Sequence, residues 1–189
     1  MRSTRILIGS AALVALSACS TTPPPPPPAP PMPTVSTAKM AEANLSAASA
    51  SIVSGRLALV PDPRGGVHIT GVIGGLQPLQ NAAFHVHERG DCSAVDASSA
   101  GGHFNPTNQP HGRSSAGAHH LGDMDNLRAD AQGRVNVDVR LPGVTLGGGA
   151  PNDIAGRALI VHANADDYRS QPAGNAGARL SCGIIRVMR

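Results

Sequence analysis

The chain has 189 residues, 41% of them apolar and 2% aromatic, which is room for one domain of ordinary size. Its 15 Lys and Arg stand against 12 Asp and Glu without forming a basic run or interleaving with aromatic residues. That pattern excludes a nucleic-acid surface and leaves net charge uninformative about partners.

The first five residues, Met1-Arg2-Ser3-Thr4-Arg5, carry two positive charges, and an apolar run from Ile6 to Leu16 follows before Ser17-Ala18-Cys19. This is the layout of a secretory signal peptide, too short to span a bilayer. Leu16-Ser17-Ala18-Cys19 resembles the bacterial lipobox, which implies cleavage before Cys19 and a lipid on that cysteine. Ser20 after it favours delivery to an outer membrane, so the expected location is periplasmic, anchored by the lipid. A signal with an unmodified cysteine is the alternative. From Pro23 to Pro33 nearly every residue is proline, which favours an extended polyproline II spacer of about 3.1 Å per residue. Residues 34–51 are rich in Ala and Ser and read as linker, then as the approach to a first strand. The expected division is a signal at 1–18, the lipidated cysteine and linker at 19–42, and the folded domain at 43–189. Without Arg2 and Arg5 the mature chain is close to neutral. The three cysteines then parse as one lipid site and one pair, Cys92 with Cys182, since disulfides persist in an export compartment. Two free thiols are the other possibility.

Within the domain, period-two alternation recurs and helical periodicity is hard to find. Residues 134–141 alternate polar and apolar throughout, and Val67, Ile69 and Ile73 share one phase with His68 and Thr70 on the other. Strands are predicted over 56–60, 67–73, 81–88, 134–141, 158–162 and 182–187, with Pro61-Asp62-Pro63-Arg64-Gly65-Gly66 turning between the first two. Short strands joined by Gly- and Pro-rich turns predict an all-β sandwich or barrel. Two stretches, 103–123 and 166–178, resist strand assignment. Loops of this length are usually functional or disordered; the first holds ligand-type residues and is read as a loop ordered by metal.

On a strand over 81–88, His85 and His87 share one face, roughly 6.5 to 7 Å apart, and can hold one metal ion between them. Two solvated histidines are the alternative. His103, His111, His120 and Asp123 offer three nitrogens and one oxygen, a closed tetrahedral set for zinc. His85, His87 and His162 offer an all-imidazole set that suits copper. His103 has two ring nitrogens and could serve a metal on each side. His119 is a weaker off-by-one alternative to His120, His68 reads as a surface histidine, and Glu88, Arg89 and Asp91 read as solvated turn residues.

Together, Phe84-His85-Val86-His87-Glu88 with Gly90-Asp91-Cys92, Gly102-His103-Phe104-Asn105-Pro106, His111-Gly112, His120-Leu121-Gly122-Asp123, the run from Gly156 to His162 with Ala165-Asp166-Asp167, and the run from Gly174 to Gly183 resemble the copper/zinc superoxide dismutase family. The steps of eight from His103 to His111, nine to His120 and three to Asp123 match the family's zinc loop. The resemblance implies a Greek-key eight-stranded β-barrel or sandwich, immunoglobulin-like, with long metal-binding and active-site loops. It implies copper on His85, His87, His103 and His162, zinc on His103, His111, His120 and Asp123, and His103 as bridging imidazolate. It also implies Arg179 as guide for the superoxide anion, Asp166 as the carboxylate linking a copper ligand to a zinc ligand, and a Cys92–Cys182 disulfide. The implied activity is conversion of superoxide to O2 and hydrogen peroxide by alternate reduction and reoxidation of the copper, protecting the cell envelope. A non-catalytic copper- and zinc-binding lipoprotein of the same fold is the alternative function. The stretch between His162 and Arg179 reproduces no recognisable set of steering charges, and the chain is expected as a homodimer or a monomer.

Overall fold

Alternation of small or branched apolar residues with polar ones builds most of the strands. In a computed structural model, which describes residues 31–188, Val135, Val137 and Leu141 of one strand point inward while Asn136, Asp138 and Arg140 face out. The leader, Cys19 and the proline run as far as Pro30 lie outside the described residues. Among the described residues, ten strands occur in the order β1 (Ala41–Ala47), β2 (Ser54–Pro61), β3 (Val67–Gly74), β4 (Asn81–Ala82), β5 (Phe84–His87), β6 (Leu127–Arg128), β7 (Val135–Leu141), β8 (Ala158–His162), β9 (Arg179–Ile184) and β10 (Arg186–Val187). Apart from the small β4–β6 pair, all join one antiparallel sheet in the order β5-β8-β9-β1-β2-β3-β7, with β10 also on β1.

β1 curls this sheet, because residues 41–45 pair with β2 while Ser46 and Ala47 pair with β9. The chain passes from β3, next to the β7 end of the order, to β5 at the other end, returns to β7, then crosses again to β8. This is the Greek-key, all-β architecture that the motif resemblance implies. Leu57, Leu59, Ile69, Ile73, Phe84 and Leu159 are fully buried between the sheet faces. Each such side chain contributes on the order of 1.5–3 kcal/mol. Gly71 sits on the inward phase of β3 with φ 145, where a Cβ would lie 2.2 Å from the Arg56 carbonyl oxygen, so only glycine admits β2 this closely.

Three boundaries differ from the sequence-based expectation. β1 lies in the stretch read as linker and then as approach, and starts two residues before the domain boundary expected at 43: its inward residues are Ala41, Ala43 and Leu45, too small and too serine-rich in context to stand out as a strand. Ordered contacts begin earlier still, since Asn152 Nδ2 donates to the Pro33 carbonyl (2.8 Å), Leu146 N donates to Ser36 Oγ (2.9 Å), and Thr37 N and Ala38 N donate to the Leu146 carbonyl. The strand expected over 81–88 is two strands, β4 against β6 and β5 against β8. At the break, Ala83 N donates to the Asn164 carbonyl and the Ala83 carbonyl accepts from His162 N. The strand expected over 182–187 begins at Arg179 and breaks at Ile185.

Candidate metal centre

β5 is buried on both faces: Phe84 and Val86 enter the core, and His85 and His87 project from the other side. The long loop 103–123 both leaves and returns along the free edge of this strand. Phe104 N donates to the Val86 carbonyl (2.8 Å), Val86 N to the Gly122 carbonyl (2.9 Å), and Gly122 N to the Phe104 carbonyl (2.9 Å). That edge pairing sets His103 opposite His87 and Asp123 opposite His85. His162, at the end of β8, arrives where the β8–β9 register shifts.

Two buried groups result. In one, His85, His87, His103 and His162 each bring a ring nitrogen, and in the other His103, His111, His120 and Asp123 bring three nitrogens and a carboxylate oxygen; within each group the ligand atoms lie within 4.8 Å of one another. His103 belongs to both. The far sides of four of the rings are already committed to protein acceptors. His87 Nδ1 donates to the Gly101 carbonyl (2.9 Å) and His162 Nδ1 to the Gly177 carbonyl (3.4 Å), which leaves their Nε2 atoms facing each other at 3.3 Å. Asp166 accepts from His85 Nε2 at 2.8 Å and from His111 Nε2 at 2.9 Å, so one carboxylate joins the two groups. His103 Nδ1 lies 2.7 Å from Asp123 Oδ1.

Four buried nitrogens, His85 Nδ1, His103 Nε2, His111 Nδ1 and His120 Nδ1, then find no hydrogen-bond partner among the described residues. His111 Nδ1 is 3.1 Å from Asp123 Oδ2 and His120 Nδ1 is 3.3 Å from Asp123 Oδ1, close enough for attraction but not aligned as hydrogen bonds. Each unpartnered buried polar atom costs about 1–3 kcal/mol, a cost that a shared cation removes. The donor sets fit the two metals: all-imidazole for copper, three nitrogens and one oxygen for zinc.

Burial, reinforced by neighbouring imidazoles, holds His87 well below its ordinary pKa and His162 at about 3. Burial likewise brings His103 down to about 4, although Asp123 pulls the other way. All three present lone pairs at neutral pH. Burial opposes charge on His111 as well, but the carboxylates of Asp123 and Asp166 outweigh it and raise the ring to about 9. Burial would lift Asp123 and Asp166, yet their histidine partners hold both well below the usual carboxylate range. Because the folded value of His111 exceeds its ordinary one, its proton stabilises the metal-free fold at neutral pH and is lost as pH rises through 9. Zinc must displace that proton. Calorimetric titration of the metal-free protein with zinc, in buffers of different ionisation enthalpy, is therefore expected to show about one proton released at pH 7 and a fall toward none above pH 9. Equal release at both pH values would contradict a charged His111.

Arg179 closes one wall of a cleft of about 490 Å³ that His87, His103, His120, His162 and Gln171 also line. Its Nη1 donates to the Ala97 carbonyl (2.7 Å) and its Nη2 to the Gly101 carbonyl (2.6 Å), the same oxygen that orients His87. The Cys92–Cys182 disulfide is present, with a Cα–Cα distance of 5.8 Å, and ties the loop carrying those carbonyls to β9. His119 stays outside both groups with its Nδ1 on the His120 carbonyl, and His68 pairs with Asp138 on the outer face of β3. Glu88 is more than a solvated turn residue: its Oε1 accepts from Gly102 N (3.2 Å) at the start of the ligand loop.

Sequence reasoning passed over Asn126. Its Oδ1 accepts from Asp166 N (2.7 Å) and its Nδ2 donates to the Asp166 carbonyl (3.0 Å), fixing the carboxylate that serves both groups. Tyr168 was passed over too; its hydroxyl accepts from Asn126 N (2.9 Å), and its ring lies 5.0 Å under the Arg113 guanidinium, itself paired with Asp125. The position of Asn126 just after Asp123 is the only hint the sequence carries.

Residues 53–185 match the family described as copper/zinc superoxide dismutase (SODC). The chain is 48% identical over 115 residues to superoxide dismutase (Cu-Zn) 2 of Aquifex aeolicus (strain VF5), an overlap of 59% of this chain and 67% of that one. It is 42% identical over 113 residues to the superoxide dismutase-like protein YojM of Bacillus subtilis (strain 168), 58% of each chain. Among solved structures, a SOD-like protein from Bacillus subtilis superposes with TM-score 0.68 at 36% identity, over 75% of this chain and 95% of that one.

Proposed function

The chain belongs to the copper/zinc superoxide dismutase family, and we propose that it converts two superoxide anions and two protons to O2 and hydrogen peroxide in an exported compartment. The observation that carries this reading is the membership of His103 in both four-residue groups, beside a cleft walled by Arg179. His85, His87, His103 and His162 would hold copper, and His103, His111, His120 and Asp123 would hold zinc. When bound, copper supplies one-electron exchange with superoxide in both directions, and zinc, with a filled d shell, supplies only fixed charge. Arg179 draws the anion into the cleft and orients it, held in place by the carbonyls of Ala97 and Gly101. His103 Nδ1 points at Asp123 and so toward the zinc group, which leaves Nε2, on the copper side, as the atom that can take up and return a proton between the two half-reactions. Asp166 keeps His85 and His111 in the tautomers that present Nδ1 inward.

The deciding experiment compares a chain starting at Pro31 after loading with copper and zinc and after loading with zinc alone. Dismutation that appears only with copper supports the enzyme; full loading without turnover replaces it with a non-catalytic metal-holding role. Arg179→Ala is expected to keep both metals and lose about 10- to 100-fold in kcat/KM, the worth of one charge-assisted contact. Arg179→Lys should recover part of the loss, and copper depletion in either variant would contradict the guidance role.

The leader reading and the disulfide support placing this activity on a lipid-anchored protein of the cell envelope. Mass spectrometry of the membrane fraction is expected to find a mature chain starting at acylated Cys19. A mature chain starting elsewhere would remove the anchor from this reading.

A further inference from the structure

We infer that Gln171 is a positioning residue for the zinc group, acting by gripping the main chain of His111. His111 lies in the irregular part of the ligand loop, and the hydrogen bonds of its main chain among the described residues both go to one side chain. His111 N donates to Gln171 Oε1 at 2.8 Å, and Gln171 Nε2 donates to the His111 carbonyl at 2.9 Å, across 60 residues of sequence. This two-point pairing fixes which end of the amide is oxygen, since the reverse orientation would set donor against donor and acceptor against acceptor.

The grip completes a set. Asp166 holds the ring of His111 through Nε2, and Gly174 packs so closely behind it that a Cβ there would lie 2.7 Å from that nitrogen and 1.9 Å from Asp166 Oδ1. Residues 166–174 therefore hold His111 at its ring and at its backbone, and Nδ1 is the polar atom left to face the metal group. Gln171 supplies the backbone half of this arrangement, while the ring half already belongs to Asp166. Its side chain also lines the cleft that Arg179 walls. Without the amide, His111 N–H and C=O turn to water, and the loop is free to carry Nδ1 out of register with His120 and Asp123.

This inference rests on the reading of His103, His111, His120 and Asp123 as a zinc site, and the parent chain's own zinc binding is the control for that reading. The test uses the full chain and its Gln171→Ala and Gln171→Glu variants. Measured are zinc affinity by chelator competition, copper affinity, and the visible absorption of Co2+ placed at the zinc group. Gln171→Ala is expected to weaken zinc on the order of 10–100-fold, the usual effect of removing a partner behind a metal ligand. The Co2+ bands should shift in position and intensity, and copper affinity should hold, because His111 is outside that group. Gln171→Glu keeps the acceptor for His111 N–H and loses the donor, so it should fall between. Unchanged zinc affinity and an unchanged Co2+ spectrum would overturn the assignment to Gln171. Equal weakening of copper and zinc would also overturn it, showing general loosening instead. If the parent chain takes no zinc at all, the site reading itself fails.

Discussion

Asp123→Ala is expected to abolish zinc retention and to lower the stability of the metal-free fold by about 3–5 kcal/mol, the cost of removing one partner from a buried charged cluster. Asp123 is fully buried, and its carboxylate faces His103 Nδ1 at 2.7 Å, His111 Nδ1 at 3.1 Å and His120 Nδ1 at 3.3 Å. It also accepts from the backbone of Gly112 (3.1 Å) and His120 (2.9 Å). Alanine strands all five groups at once, and a neutral water could not replace the charge of the carboxylate. In the parent chain, Asp123 sits far below the usual carboxylate range. Its contribution is therefore complete above the ordinary value near 3.9 and is lost only as pH falls through a much lower folded value. The variant should lack this acid-resistant stabilisation while folding at neutral pH. Metal analysis and thermal unfolding of parent and variant check both halves. Stoichiometric zinc in Asp123→Ala would remove the carboxylate from the ligand set.

The ligand histidines were legible because their types and spacings are themselves the chemistry, β7 because apolar residues alternate without interruption, and β3 because Val67, Ile69 and Ile73 keep one phase across Gly71. β1 was hidden by its inward residues, Ala41 and Ala43, which bury well in a curled sheet but look like linker in a row of Ala and Ser. The break at Ala83 was invisible because alternation continues through it; what changes there is the pairing partner, β6 on one side and β8 on the other. Asn126 and Gln171 act through main-chain groups 40 and 60 residues away, and nothing local in a sequence records which distant N–H or carbonyl a side-chain amide will meet. Their roles follow only once residues 103–126 and 163–178 are folded against each other.

Replacing both members of the Cys92–Cys182 pair by serine is expected to have the other large effect. The bridge closes 90 residues of chain, worth about 4–5 kcal/mol if the gain is mainly unfolded-state entropy. For a domain of this size that is a fall in melting temperature on the order of 10–15 °C. A melting temperature within about 2 °C of the parent would refute the loop-closure account. The effect on turnover has a separate cause. Cys182 is three residues beyond Arg179 on β9, and the loop from Cys92 carries the Ala97 and Gly101 carbonyls that hold the guanidinium. Part of that loop stays packed without the bridge, since Ala97 and Ala100 are buried against Ala158 and Ile160. Turnover per folded, metal-loaded molecule should therefore fall by less than in Arg179→Ala. If the disulfide acts on turnover through Arg179, removing it in an Arg179→Ala background costs no further activity, because the group it positions is already gone. A full additional loss in the combined variant would place its effect elsewhere, at the Gly101 carbonyl that orients His87.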